Sequence, residues 1–208
     1  LSSSCARQNR KPLHYDETIW KGERRQMKWM IASDIHGSAH YCKMMLEQYQ
    51  KEGAQRLLLL GDILYHGPRN DLPKEYAPKE VLSMLNAYKK EIFCVRGNCD
   101  AEVDQMVLQF PILADYALLA VGKRALYATH GHLFSQENLP PLQEGDILLN
   151  GHTHVPKCTV HESYLYMNPG SISLPKENSY HGYMTMEDGL FLWKDLQGEI
   201  KNRFQVEP

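Results

Sequence analysis

The stretch Leu57-Leu58-Leu59-Leu60-Gly61-Asp62 decides the fold expected of this chain. Four consecutive leucines are typical of a strand that is buried on both faces, as in a parallel sheet covered on both sides. The Gly-Asp step after them predicts a turn that lifts the carboxylate of Asp62 out of the core. Because such a pair is usually only a turn, its significance depends on what else the chain places at strand ends.

Four further polar clusters each follow a short apolar run. In open α/β sheets the carboxyl ends of the strands carry function, so we expect all five clusters to meet at one edge of the fold. The four are Asp34-Ile35-His36-Gly37, Gly97-Asn98-Cys99-Asp100, Thr129-His130-Gly131-His132 and Gly151-His152-Thr153-His154.

The first half of the chain has the pattern of a βαβαβ unit, which predicts a parallel sheet with right-handed crossovers. Ser38 is a plausible N-cap and Gly53 a plausible C-terminal stop for the first helix, and Pro78 opens the second. Between the leucine strand and Pro78 lies a proline-rich loop. The predicted strands are 28–33, 57–60 and 91–95, and the helices run from Ser38 to Gly53 and from Pro78 to Lys90.

The second half consists of short strands with turn signals at Gly122-Lys123 and Asp188-Gly189. We expect these strands to build a second, mostly antiparallel sheet. The predicted fold is therefore α/β, a four-layer α-β-β-α sandwich of two mixed sheets flanked by helices. Its predicted strands are 116–121, 124–129, 146–150, 157–161, 164–167, 180–187 and 190–195.

Length and composition favour one enzyme-sized domain, which we assign to residues 27–208. The chain has 208 residues, of which 43% are hydrophobic, and its formal net charge is −2. This charge gives no strong nucleic-acid-binding signal, and no apolar run approaches the roughly 20 residues of a membrane span. The five cysteines are scattered and odd in number, as expected of reduced thiols in a cytoplasmic protein.

Residues 1–26 are polar and unpatterned, and we expect a non-native or disordered N-terminal extension there. Arg24-Arg25 could be encoded by AGG AGG just ahead of Met27. This suggests a ribosome-binding site read as protein, with the natural chain beginning at Met27. The alternative is an ordinary flexible extension.

The clusters together supply seven side chains that can bind a divalent ion, too many for a single ion. Oxygen and imidazole donors without thiolates suit Mn, Fe, Zn, Co or Ni, and a bridging carboxylate allows two ions about 3.5–4 Å apart. Two divalent ions together with two carboxylates leave the site with a net positive charge, so the site would attract a phosphate ester. The seven are Asp34, His36, Asp62, Asn98, His130, His152 and His154.

Each of these residues has an ordinary structural interpretation when taken alone, because a single histidine is most often structural or exposed. Four histidines in strand-end clusters have no comparably simple explanation. We interpret His132 as a neighbour that holds a ligand by a hydrogen bond. Arg69, in the loop His66-Gly67-Pro68-Arg69-Asn70, is either a phosphate-binding residue or a solvent-facing turn residue.

In this order the motifs resemble the calcineurin-like metallophosphoesterase family over nearly all of the chain from Met27. The short length, the loop from His66 to Asn70 and Asn168-Pro169-Gly170-Ser171 resemble the small bacterial YfcE-type phosphodiesterases of that family. The resemblance implies hydrolysis of small phosphodiesters by a hydroxide that bridges two metal ions, with manganese favoured. It also implies one ion held by Asp34, His36, Asp62 and His154, and a second by Asp62, Asn98, His130 and His152.

The candidate catalytic residues are Asn98, Cys99 and Asp100. Most of the wider family has a histidine where this chain has Cys99, and a thiol cannot supply the positive charge of an imidazolium. We therefore expect a preference for diesters with good leaving groups, unless Cys99 only fills space. Asn98 is expected to bind metal and orient the ester, and Asp100 to support a histidine ligand.

Three alternatives remain open at this stage. A phosphomonoesterase or a nuclease could share the fold, although a nuclease would want a basic or aromatic groove, which the sequence does not offer. A non-catalytic protein-interaction scaffold is the third, because a retromer subunit resembles this fold without an intact ligand set. The sequence does not specify the physiological substrate, and it is compatible with a homo-oligomer.

Overall fold

A computed structural model of the chain describes residues 27–207. The prediction for residues 1–26 lies outside this described part. The elements follow the predicted order, with one short helix and one C-terminal strand that the sequence pattern did not indicate. They are β1 Trp29–Ala32, α1 Ala39–Glu52, β2 Arg56–Leu59, α2 Pro78–Ala87, β3 Ile92–Cys94, α3 Glu102–Gln105, β4 Ala117–Val121, β5 Arg124–Ala128, β6 Asp146–Leu149, β7 Pro156–Val160, β8 Tyr164–Pro169, β9 Gly182–Glu187, β10 Leu190–Asp195 and β11 Ile200–Gln205.

The first sheet has six strands in the order β11-β10-β9-β1-β2-β3. Strands β1, β2 and β3 are parallel, which confirms the predicted βαβαβ unit. Strands β9, β10 and β11 add antiparallel to the free edge of β1. The expectation that β9 and β10 belong to the second sheet is therefore wrong.

The second sheet has five strands in the order β4-β5-β6-β8-β7. The predicted hairpin of β4 and β5 is confirmed, with Val121 opposite Arg124. The sheet is not mostly antiparallel, because its three central strands β5, β6 and β8 are parallel. As a result, the second sheet also gathers several carboxyl ends at one edge.

The leucine strand separates two apolar cores. Leu57 and Leu59 pack with α1 and α2 on one face of the first sheet, whereas Leu58 and Leu60 face the second sheet. All four side chains are at most 1% exposed. The face-to-face packing of two mixed sheets confirms the fold class. In the described part of the chain every helix precedes β4, and α1 and α2 pack on the face of the first sheet that carries Leu57 and Leu59.

The first helix begins and ends as its sequence predicts. The Ser38 side chain accepts a hydrogen bond from the Tyr41 amide, and Gly53 ends the helix with a left-handed φ of 62°. This fixes the segment that leads from β1 into α1, where Asp34 and His36 lie. No helix among residues 27–207 is long and apolar enough to cross a bilayer.

Candidate metal centre

The structure brings the seven predicted ligands together at the carboxyl ends of the parallel strands. Asp34 and His36 follow β1, and His154 follows β6. One ligand atom from each of these three side chains lies within 4.8 Å of the others. All three side chains are at most 2% exposed, so the group is held in the interior rather than at the surface.

A second group forms beside the first around His130, which follows β5. His130 Nε2 lies 3.1 Å from Asn98 Oδ1 and 3.2 Å from His152 Nδ1. Asp62 Oδ2 is 3.5 Å from the same nitrogen. These four side chains therefore converge on one small volume.

Asp62 joins the two groups. Its Oδ2 atom lies 3.6 Å from His36 Nε2 and 3.5 Å from His130 Nε2. Its other oxygen accepts a hydrogen bond of 2.8 Å from the Cys99 amide, which fixes the carboxylate plane. No other carboxylate oxygen in the described residues contacts histidines of both groups.

Backbone carbonyls set the protonation of three rings. The Nδ1 atoms of His36, His130 and His154 lie 2.8, 2.6 and 2.6 Å from the carbonyl oxygens of Tyr65, Leu60 and Leu174. A carbonyl can only accept, so each Nδ1 carries a proton, and the neutral form of each ring turns an Nε2 lone pair inward. This is the second interaction that metal-bound histidines usually make.

The ligand atoms that face the interior of the cluster are hydrogen-bond acceptors, and among the described residues no hydrogen-bond donor lies between them. The Nε2 atoms of His36 and His154 lie 3.3 Å apart, although both carry lone pairs. Asp34 Oδ1, buried beside them, has no hydrogen-bond partner. Converging lone pairs are stable around a cation and unfavourable without one. The donor set therefore fits divalent metal ions.

The electrostatics of the site also favour positive charge. Burial alone would lower the pKa of His130, but its hydrogen bond to Asp62 and the charges of Asp34 and Asp62 raise that pKa to about 9. Burial likewise opposes protonation of His36, yet Asp34 raises its pKa. The carboxylates thus stabilise a cation strongly enough to overcome desolvation.

Five of the predicted ligands have a left-handed backbone, which is uncommon for residues other than glycine. Each such residue costs on the order of 1 kcal/mol of stability, and residues of this kind cluster at functional sites. The φ angles are 59° at Asp34, 49° at His36, 55° at Asp62, 64° at His152 and 62° at His154.

Close backbone packing explains two glycines of the predicted motifs. A Cβ on Gly61 would overlap the backbone of Gly97, and a Cβ on Gly97 would overlap the Asp62 carboxylate. Gly61 also has a φ of 93°. Both glycines therefore allow the turns after β2 and β3 to touch, which brings Asn98 to Asp62.

Asp100 does not support a histidine, and that prediction is wrong. Its Oδ2 accepts from the backbone amides of Asp62 at 2.9 Å and Gly97 at 2.8 Å, and its Oδ1 from Ile63 at 2.9 Å. Asp100 is 2% exposed. It therefore fixes the turn that carries Asp62 by satisfying three backbone donors.

His132 does not form the predicted hydrogen bond either, since its buried Nδ1 has no partner. Its ring instead packs edge-on against His130, with centroids 5.4 Å apart. Cys99 lies beside the cluster, half-buried, and receives an Asn98 side-chain contact at 3.2 Å. Burial and the charge of Asp62 raise the pKa of the Cys99 thiol to about 12.

Two serines that the sequence analysis did not single out hold Asp34. The hydroxyls of Ser171 and Ser173 both donate to the Asp34 carbonyl at 2.9 Å. Both serines are buried. Ser171 belongs to the Asn168-Pro169-Gly170-Ser171 motif, which was the available signal for this role.

A cavity of about 450 Å³ opens over the ligands. This volume is within the usual range for small-molecule sites. Two cations, Arg69 and Lys176, lie on its wall, and the sequence analysis missed Lys176. The lining residues are Asp62, Gly67, Pro68, Arg69, Asn70, Asn98, Cys99, His152, Thr153, His154 and Lys176.

Comparison with known proteins places the chain in a family. A family described as "Calcineurin-like phosphoesterase superfamily domain" matches residues 27–188. Phosphodiesterase YfcE of Escherichia coli strain K12 is 48% identical over 162 residues, which cover 78% of this chain and 88% of the relative. Probable metallophosphoesterase YsnB of Bacillus subtilis is 26% identical over 175 residues, covering 78% of this chain and 86% of the relative.

The folded structure is similar as well. A solved structure of YfcE, described as a phosphoesterase from E. coli, superposes with a TM-score of 0.84 at 43% sequence identity. The match covers 87% of this chain and 100% of the solved chain. The similarity therefore extends over most of the fold.

Proposed function

The chain belongs to the calcineurin-like phosphoesterase superfamily, and from this premise we propose that it is a metal-dependent phosphodiesterase acting on small or nucleotide-like diesters. The observation that carries the proposal is the position of Asp62 between two groups of converging lone pairs. Such a site suits two divalent ions and, through them, a phosphoryl group. The similar E. coli protein is named a phosphodiesterase.

We assign the ligands as two sets that share Asp62. Asp34, His36 and His154 complete the first set, and Asn98, His130 and His152 complete the second. Bound ions would supply Lewis acidity and lower the pKa of water at the site. Among divalent ions manganese is the proposed occupant because the family resemblance implies it, since the oxygen and imidazole donors would also accept Fe, Zn, Co or Ni.

The chain's own residues orient the reacting groups. The backbone carbonyls of Leu60, Tyr65 and Leu174 hold the imidazoles in the tautomer that points Nε2 inward. Asn98, which is exposed to the cavity, is placed to contact the ester as well as an ion. The half-buried Cys99 lies beside it, and burial together with the charge of Asp62 raises the pKa of its thiol.

The test is hydrolysis of bis(p-nitrophenyl) phosphate by metal-stripped protein to which single metals are returned. We expect turnover that depends on the added ion and is highest with Mn²⁺. Preferred turnover of p-nitrophenyl phosphate would favour the phosphomonoesterase alternative. Tight binding of Mn, Fe, Co, Ni and Zn with no turnover of either ester would overturn the proposal and favour the scaffold.

Replacing Cys99 with histidine tests the leaving-group preference. General acid help is worth about 10²–10⁴-fold, so Cys99→His should accelerate diesters with poor leaving groups by about 10²-fold or more. It should change aryl esters little, because their leaving groups need no proton. Rates measured over a series of leaving-group pKa values give the slope, and Cys158→His on β7 is the matched control. An unchanged slope would make Cys99 a space-filling residue.

We also propose a cytoplasmic location. Cys42, Cys94, Cys99 and Cys158 are all free thiols in the structure. Free thiols persist in reducing compartments.

A further inference from the structure

We propose that Arg69 and Lys176 recognise a second anionic group on the substrate, so that the preferred diester carries a further phosphate or carboxylate outside the bond that is cleaved. The inference rests on the proposed function, because it names the substrate class of the same cavity. Both side chains are exposed and line the cavity above the ligands.

Neither of these two cations has an acidic partner among the described residues. Within residues 27–207 the lysines and arginines that form ion pairs are Lys28, Lys194 and Lys201, so neither Arg69 nor Lys176 is neutralised by a carboxylate. Of the described residues, only Asp62 contributes a carboxylate to the cavity wall. Asp62 is assigned to the metal ions, and the charges of Arg69 and Lys176 therefore remain available to a ligand.

The backbone of Arg69 belongs to the turn from His66 to Asn70, which packs against the site. The Asn70 side chain donates to the His66 carbonyl at 2.8 Å, and the Asn70 amide lies 3.4 Å from the Gly67 carbonyl. A Cβ on Gly67 would be 3.1 Å from Cys99 Sγ, so the turn packs directly on Cys99. The guanidinium thus starts from a fixed position beside Asn98 and Cys99.

The backbone of Lys176 is hydrogen-bonded to the ligand set that contains His154. Its amide donates to the His154 carbonyl at 3.2 Å, and its own carbonyl accepts from Ser179 at 3.0 Å. Arg69 therefore extends from the Cys99 side of the cavity and Lys176 from the His154 side. A scissile phosphoryl group between them would be neutralised by the metal ions, which leaves both cations to bind another anion of the same molecule.

The test compares two substrates that differ only in the second anion. They are the p-nitrophenyl ester of thymidine 5′-phosphate and the same ester with an added 3′-phosphate. Both have the same scissile bond and leaving group, so the ratio of their kcat/KM values isolates the added charge. We expect about a tenfold preference for the ester with the 3′-phosphate, as two partly exposed charge pairs can supply. The preference should shrink as NaCl is raised.

The double variant Arg69→Gln with Lys176→Gln should bring the ratio close to one. The matched control is Lys79→Gln, an exposed lysine on α2 outside the cavity, which should keep the ratio of the unsubstituted protein. A ratio of one in the unsubstituted protein, or a preference that survives the double substitution, would overturn the proposal.

Calorimetry separates this inference from the proposed function. Metal-loaded protein should bind thymidine 3′,5′-bisphosphate about tenfold more tightly than thymidine 5′-monophosphate, and the double variant should bind both equally. This comparison requires no turnover. Absence of hydrolysis of any ester would contradict the phosphodiesterase assignment, while equal binding of the two nucleotides would contradict the role of Arg69 and Lys176.

Discussion

Asp62→Asn is expected to reduce kcat/KM for an aryl phosphodiester by more than about 100-fold. Substitutions that only disturb the surroundings of metal ligands commonly cost 10–100-fold, and Asp62 is assigned to the ligands themselves. Asparagine keeps the side-chain shape, tolerates the left-handed φ of 55° and retains an oxygen for the Cys99 amide. What it removes is the negative charge and one inward-facing oxygen, so the loss reports on metal binding rather than on folding.

Metal content by mass spectrometry should fall in Asp62→Asn, while the unfolding temperature of the metal-stripped protein should stay close to that of the parent. The control is Asp71→Asn, which changes an exposed carboxylate in the loop before α2. Full activity with two bound ions in Asp62→Asn would exclude Asp62 as the bridging residue.

Asp100→Ala is expected to lower the stability of the fold by about 3–9 kcal/mol. The substitution leaves three buried amides, those of Asp62, Ile63 and Gly97, without an acceptor, and each unsatisfied donor costs about 1–3 kcal/mol. For a chain of this size 1 kcal/mol shifts the unfolding temperature by about 2–4 °C. Calorimetry should therefore show a decrease in unfolding temperature of at least about 6 °C.

Asp104→Ala is the matched control. The Asp104 side chain also accepts a hydrogen bond from the backbone, but only from the amide of Ala101. Its loss should cost about 1 kcal/mol, the usual value of a cap. Equal decreases in unfolding temperature for the two variants would show that the three-amide contact of Asp100 is not a main support of the turn.

The strand-end clusters were predictable because they combine two local signals. An apolar run indicates where a strand ends, and an Asp, Asn or His directly after it indicates what lies at the sheet edge. The four leucines before Asp62 are the clearest case, and the parallel unit β1 to β3 follows from the helices between its strands. In the second sheet the clusters at His130 and His152 were found by the same rule.

Strand pairing in the second half was not predictable in the same way. Strands β5, β6 and β8 pair in parallel without a helix between them in the described chain, so their sequence lacks the usual mark of a crossover. The addition of β9 to β1 joins segments about 150 residues apart, which no local pattern encodes.

Contacts between side chains and the backbone could not be predicted from the sequence either. Asp100 binds amides and the serines at 171 and 173 bind a carbonyl, and every residue offers such groups. Lys176 was missed because an exposed lysine after a proline has no pattern of its own. Its position became meaningful only when the fold placed it on the cavity wall.

The left-handed ligand residues have a consequence for how this chain can evolve. Because five ligand positions hold an unfavourable backbone, glycine at any one of them would remove strain at the same time as it removed a ligand. Substitutions that remove these ligands therefore raise the folding stability. Regaining the site would require several substitutions that each lower it. A lineage released from selection for activity is therefore expected to keep the two sheets and lose the metal ligands.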